Sequence, residues 1–159
     1  MAGTNVEIIV PGYSTLFTRD LPYTPGVGEA ADLNPFDPDS AAPLVEGEWL
    51  EVAASSSGAE RLTRGANASQ KPCYLYFMER GRYDAQLSRK AHVVVGPHGF
   101  IFRTKLTDGT INIGDSVAPK TVSGKRVLAT YSTAGVYAVG HVIAKSGDWI
   151  TVQYAPHKI

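Results

Sequence analysis

The sequence contains one cysteine and no long apolar run, and both scarcities narrow the class of protein. A single thiol, Cys73, cannot form an intramolecular disulfide framework. It lies in the apolar run CYLYFM, which predicts a buried rather than a reactive thiol. No stretch approaches the roughly 20 apolar residues that span a bilayer, and the first residues lack the basic flank of a secretory signal. We therefore expect a protein that is made in the cytoplasm and does not enter a membrane.

The sequence also lacks the short motifs that carry catalysis or bind cofactors. It has no HExxH, CxxC, Gly-x-Ser-x-Gly or phosphate-binding glycine pattern. The segment DLNPFDPD groups three aspartates but lacks the twelve-residue spacing of an EF-hand. We predict that the chain is not an enzyme and uses neither a metal nor another cofactor. Its four histidines do not pair at a metal-ligand spacing: His92, His98, His141 and His157.

The formal net charge is zero, but the charges are unevenly distributed along the chain. Residues 1–60 carry ten acids and one base, Arg19, for a net charge of −9, whereas residues 61–159 carry fourteen bases and five acids, for +9. Such a chain can attract copies of itself, fold its acidic part across its basic part, or present two solvated faces. Nucleic acid is not an expected partner, because the bases are spread out and the acidic part competes for them.

The first 43 residues hold six of the ten prolines, which excludes a helix of normal length and a central strand beyond Val10. The segment nevertheless keeps large apolar side chains, each of which gains roughly 1.5–3 kcal/mol on burial. We therefore predict an extended N-terminal arm over residues 1–43, which lies on its own body or on a neighbouring subunit. The predicted arm anchors, which would bind the partner, are Tyr13, Leu16, Phe17, Leu21, Tyr23 and Phe36.

From residue 44 the pattern changes to short apolar runs that are separated by turn residues. These runs predict about eight short strands, among them EWLEVA, AHVVVG and DWITVQYA. Asp108-Gly109, between two alternating runs, is the clearest hairpin signal in the chain. Helical patterns are almost absent. The sequence therefore predicts an all-β domain over residues 44–159, a small β-barrel or sandwich.

Two stretches of this region share one pattern of turn and apolar residues. Each has a glycine followed by an acid, at Gly47-Glu48 and Gly114-Asp115, and an aliphatic residue three positions after that glycine. Each then has a Ser-Gly pair, at Ser57-Gly58 and Ser123-Gly124, with a leucine four positions later. Both kinds of pair favour turns, so each copy predicts turn, strand, turn and strand. The repeat indicates two related halves of a barrel, one hairpin type used twice, or a coincidence.

Three short motifs follow one another in the last third of the chain. They are GDSV at residues 114–117, AVGHV at residues 138–142, and Ser146-Gly147 leading to Val152. In this order they resemble the head-decoration proteins of tailed bacteriophages, over less than a third of the chain. The resemblance implies a virion structural protein on the capsid exterior, which binds neighbouring major capsid subunits as a homotrimer and stabilises the shell. The arm would then clasp adjacent subunits.

Two other functions fit the sequence. A tail or neck component of a virion could use a similar barrel. A β-barrel module that binds a small molecule or a carbohydrate could use Trp49, Trp149 and the tyrosines as stacking platforms. The oligomeric state separates these classes, because such a module can act alone whereas a capsid cement is expected to assemble around a symmetry axis.

Overall fold

The computed structural model describes six ranges of the chain: residues 5–10, 16–26, 28–54, 58–65, 71–77 and 88–159. Eleven strands in two antiparallel sheets dominate these ranges, which confirms the predicted all-β class. The strands are β1 (Val6–Val10), β2 (Phe17–Pro22), β3 (Trp49–Ala54), β4 (Glu60–Thr63), β5 (Cys73–Tyr76), β6 (Lys90–Gly96), β7 (Ile101–Thr104), β8 (Ser116–Val122), β9 (Lys125–Thr130), β10 (Tyr137–Ser146) and β11 (Trp149–Lys158).

The two sheets have the same internal strand order. The five-stranded sheet runs β2-β6-β5-β3-β4, and the six-stranded sheet runs β1-β7-β11-β10-β8-β9. If β1 is set aside, each strand of the six-stranded sheet has a number five higher than the strand at the same position of the five-stranded sheet. Strand β7 corresponds to β2, β11 to β6, β10 to β5, β8 to β3 and β9 to β4. The protein is therefore built from two consecutive units of equal topology, unit 1 (β2 to β6) and unit 2 (β7 to β11). Strand β1 adds one edge to unit 2.

The repeated glycines make the same backbone hydrogen bonds in both units. The Gly47 amide donates to the carbonyl of Tyr76, and the Gly114 amide donates to the carbonyl of Val142, both at 2.8 Å. Both glycines have a positive φ, 103° and 93° respectively, which the third residue of a type II turn requires. The two copies of the sequence pattern therefore fold into equivalent turns, as two related halves predict.

The acids that follow these glycines also have equivalent roles. The Glu48 carboxylate accepts a hydrogen bond from the Val45 amide at 2.7 Å. The Asp115 carboxylate accepts one from the Asn112 amide at 2.8 Å. In each case the side chain bonds the backbone three residues earlier and closes the turn. This local requirement explains why an acid follows glycine in both copies of the repeat.

Each unit curls until its outer strands touch. Tyr23, directly after β2, forms an isolated parallel bridge with Leu62 of β4. Thr107, in the loop after β7, forms the same bridge with Leu128 of β9. These leucines are the ones that end the two copies of the sequence pattern. Each unit is therefore a partly closed five-stranded barrel, which fits the predicted barrel or sandwich.

The outer faces of the two units differ in polarity, and this difference explains how they stack. One cross-strand row of unit 1 is apolar and fully buried: Val94, Leu75 and Trp49. The equivalent row of unit 2 is polar and only half-buried: Gln153, His141 and Ser116. The apolar row packs against unit 2, where the Trp49 ring centroid lies 5.4 Å from that of Phe102. The polar row can stay hydrated, so the stack ends after two units.

The described residues of the predicted arm are part of the folded body. Strand β1 is an edge of the six-stranded sheet, and β2 is an edge of the five-stranded sheet. An edge position suits a segment rich in proline, because an edge strand needs fewer backbone N–H donors than a central one. The sequence analysis excluded a central strand beyond Val10, and neither β1 nor β2 is one. It did not predict these two edge strands, because it placed all strands after residue 44. Residue 44 therefore does not separate an arm from a barrel in the described ranges.

The hairpin predicted at Asp108-Gly109 is wrong. Strands β7 and β8, which flank this pair, are not neighbours in the sheet. The Asp108 amide instead donates to the carbonyl of Leu128 at 2.9 Å, and its carboxylate accepts from the Lys120 ammonium at 2.6 Å. A tight two-residue hairpin turn lies at Ser123-Gly124, where both residues have a positive φ and join β8 to β9.

Candidate functional site

Four of the six predicted arm anchors are buried in the protein's own core. Leu16, Leu21, Tyr23 and Phe36 are each at most 9% exposed. Leu16 belongs to the cluster between the two units, and the other three belong to the core of unit 1. These four side chains are therefore anchored on their own body and are not available to a neighbouring subunit. Tyr13 lies outside the described residues.

Phe17 is the one predicted anchor among the described residues that points to solvent. Its side chain is 62% exposed at the start of β2, where Phe17 pairs with Gly96 of β6. A single exposed aromatic is common on protein surfaces. Because it lies on an edge strand, however, Phe17 can be covered by another molecule without any change in the core. The other exposed large apolar residues of the described ranges are Ile9, Ile113 and Ile143.

A buried ion-pair network holds residues 23–48, the connection between β2 and β3, against the strands of unit 1. We call this connection the proline-rich segment. The Arg64 guanidinium donates two hydrogen bonds to the Glu48 carboxylate, both at 2.9 Å, and one to Glu29 at 3.0 Å. It also donates to the carbonyls of Ala42, at 2.7 Å, and Pro43, at 2.8 Å. One buried side chain thus fixes the segment at three separate points. Charge-assisted bonds of this kind are about twice as strong as neutral ones.

The electrostatics of this network favour its charged form. Burial alone would lower the pKa of Arg64, but the hydrogen bonds and charge of Glu48 outweigh it and raise that pKa above its ordinary value. Burial also raises the pKa of Tyr23, whose hydroxyl donates to Glu29. The Arg126 amide donates to Glu48 at 2.9 Å and links unit 2 to the network. The acidic part of the chain therefore folds across the basic part, one of the three arrangements that the charge distribution allowed.

A cleft of about 460 Å³ opens on unit 2, between the loop after β7 and the turn that joins β10 to β11. The side chains of Lys105 and Lys145 line it, together with those of Thr107 and Asp148. The Lys145 ammonium donates to the carbonyl of Ile111 at 2.8 Å, which holds it at the cleft. Two cations against one carboxylate give the cleft a net positive charge. We call it the lysine cleft.

The two tryptophans that the sequence offered as stacking platforms of a carbohydrate-binding module, Trp49 and Trp149, lie in different surroundings. Trp49 is fully buried between the two units. The ring of Trp149 is covered by the guanidinium of Arg103, 4.6 Å from its centroid, and by the ammonium of Lys105 at 5.6 Å. These cation–π contacts hold two cations at the Trp149 ring. The Arg103 guanidinium is also ion-paired with Glu7, at 2.6 Å from its carboxylate.

The cysteine and the histidines, whose side chains could be reactive, lie in separate places. Cys73 is buried, as the sequence predicted, and its thiol donates to the carbonyl of Lys71 at 3.6 Å. His98 is exposed in the loop before β7, and His92 lies 2.9 Å from the Asp20 carboxylate. Among the described residues, no three His, Cys, Asp or Glu side chains lie close enough together to hold a metal ion. No helix in the described part of the chain has the length and apolarity that a membrane crossing requires.

The three motifs of the phage resemblance lie side by side in unit 2. GDSV leads into β8, AVGHV lies within β10, and Ser146-Gly147 begins the turn into β11. These strands are consecutive in the sheet order β11-β10-β8. No protein-family model, curated protein or solved structure matches this chain.

Proposed function

We propose that this protein is a virion structural protein that decorates the exterior of a phage capsid and binds neighbouring major capsid subunits. The observation that supports it most is the placement of the three resemblance motifs on adjacent strands of one sheet. The three motifs therefore form one contiguous part of the unit 2 sheet. The role also fits a chain whose described polar network and cores are devoted to holding two barrels and a long segment together.

The contacts with the shell would come from the surface of the folded body. Four predicted anchors are buried and the Arg64 bonds fix the proline-rich segment, so attachment requires little further ordering of the described chain. Phe17 is the anchor that remains exposed. A protein that binds only the expanded shell stabilises that state by mass action. Self-association into a homotrimer, as the resemblance implies, would present several such contacts at once.

Replacing Phe17 with Ala is expected to weaken attachment without changing the thermal midpoint of the free protein. Burial of a Phe side chain at an interface contributes roughly 1.5–3 kcal/mol, which corresponds to a rise in Kd of about tenfold to a hundredfold. The measurement is co-sedimentation with expanded shells, assembled from the major capsid protein encoded in the same genome. Unexpanded shells serve as the control and should bind neither protein.

Three results would overturn the proposal. The wild-type chain could bind neither state of the shell. The genome could encode no major capsid protein. The chain could attach to a tail or neck assembly instead, which would favour that alternative. Equal shell binding by wild type and Phe17→Ala would retain decoration but remove Phe17 from the contact.

A further inference from the structure

The lysine cleft of unit 2 lies at the place that unit 1 fills with its own chain. Thr107 lines the cleft, and its counterpart in the parallel bridge of unit 1 is Tyr23. Ile150 also lines the cleft, and its counterpart near the start of the last strand is Ala91. Tyr23 and Ala91 both pack in the cluster that contains Phe36. The cleft therefore lies at the place of unit 2 that corresponds to the packing site of the Phe36 segment in unit 1.

The two units differ at this place because the connections between their first two strands, β2 to β3 and β7 to β8, differ in length. In unit 1, residues 23–48 lie between β2 and β3 and bring Phe36 and Leu44 over the core. In unit 2, residues 105–115 are all that lies between β7 and β8. This shorter connection lines the cleft and brings one large apolar side chain, that of Ile111, into the core. Polar and positively charged groups stand there instead, with Lys105 and Lys145 beside Thr107.

The long connection of unit 1 carries three aspartates close together in the sequence. Asp32 and Asp39 are exposed, Asp37 is half-buried, and none of the ion pairs between described residues involves them. We call residues 30–40 the acidic loop. Its shape is fixed by successive turns, in which the Asp37 amide donates to the Asn34 carbonyl and the Ser40 amide donates to the Asp37 carbonyl, both at 3.1 Å.

We propose that the acidic loop of one copy of this chain docks in the lysine cleft of a second copy. The charges are complementary, with three aspartates on the loop and two lysines against one aspartate at the cleft. Because the loop belongs to unit 1 and the cleft to unit 2, the contact is head-to-tail, and its repetition can close into a ring. This docking deepens the proposed function, because the use of such a ring on a shell rests on capsid decoration.

The test uses the full chain without a shell, so its failure is distinguishable from a failure of capsid decoration. Light scattering at 0.15 M salt is expected to give a multiple of the 17.0 kDa of one chain. At 1 M salt the mass should fall to a single chain, since the screening length drops from about 8 Å to about 3 Å. A mass of one chain under both conditions would overturn the proposal.

Charge exchange identifies the two surfaces. The cleft variant Lys105→Glu/Lys145→Glu and the loop variant Asp32→Lys/Asp39→Lys should each fall to the mass of one chain. Their combination in one chain restores opposite charges and should restore the oligomer. The matched control, Lys125→Glu/Lys158→Glu, changes the same charge at exposed sites away from the cleft and should keep the wild-type mass.

Two further results would count against the docking. One is a cleft variant that assembles like the wild type, and the other is a combined variant that stays a single chain while it folds normally. Since Lys145→Glu also removes the bond to the Ile111 carbonyl, circular dichroism should accompany each mass. If that variant does not fold, Lys105→Gln/Lys145→Gln replaces it. The neutral variant is expected to weaken assembly at least tenfold.

Discussion

Replacement of Arg64 with Met is expected to lower the free energy of unfolding by about 3–5 kcal/mol, because it leaves a buried charge without its partner. Met keeps much of the volume but donates no hydrogen bond. Glu48, which is fully buried, would lose both of its bonds from the guanidinium, and Glu29 would lose its ion pair. Urea denaturation of both proteins, followed by Trp fluorescence, measures the difference.

Arg19→Met is the matched control for this experiment. Arg19 also pairs with a glutamate, Glu60, at 2.8 Å, but its side chain is 43% exposed. Exposed ion pairs contribute about 0–1 kcal/mol, so this variant should stay close to the wild type. If Arg64→Met were as stable as Arg19→Met, the network would not hold the proline-rich segment to the body.

Replacement of Phe36 with Ala is expected to lower the free energy of unfolding by about 3–5 kcal/mol, as truncation of a buried Phe typically does. Phe36 is 2% exposed, and its ring centroid lies 6.4 Å from those of both Tyr23 and Tyr76. The cavity left behind cannot collapse easily, because the Arg64 bonds fix the backbone on the C-terminal side of Phe36. Thermal unfolding of the isolated protein measures the loss.

The comparison with Phe17→Ala makes this result specific. Both residues were predicted as arm anchors, but Phe17 is 62% exposed. Phe17→Ala should therefore unfold at the wild-type midpoint, whereas Phe36→Ala should unfold well below it. Equal midpoints for Phe36→Ala and the wild type would mean that the segment is free in solution, as a clasping arm requires.

The sequence predicted the features that depend on local chemistry. Gly47 and Gly114 need a positive φ, and the acids after them close their turns, so the pattern is readable from neighbouring residues. The period of the apolar residues gave the all-β class for the same reason. The equal sheet order of the two units could not be read, because the sequence shows each turn but not which strands pair.

The features that the sequence missed depend on distant partners. Arg64 follows an ordinary strand, and its acidic partners Glu48 and Glu29 lie 16 and 35 positions earlier. No local signal marks such a residue. The alternating strands around Asp108-Gly109 predicted a hairpin, but the flanking strands pair elsewhere because β11 lies next to β7. The lysine cleft likewise joins residues of two separate loops.

The location of the candidate contact surface was predictable only in part. Large apolar residues between prolines correctly indicated that the segment packs on a folded surface. The sequence could not say whose surface, and Tyr23 and Phe36 pack on their own unit. Phe17 lies instead at the start of the edge strand β2, and its side chain is exposed to solvent. This distinction requires the sheet order.

Within the first 43 residues, the described ranges 5–10, 16–26 and 28–43 belong to the folded body and not to a detachable arm. The most direct test is urea denaturation of residues 44–159 alone, monitored by circular dichroism. We expect no cooperative transition, because the truncation removes β1, β2, Tyr23, Phe36 and the Glu29 partner of Arg64. A truncated chain that unfolds cooperatively, with a stability close to that of the full chain, would contradict the claim.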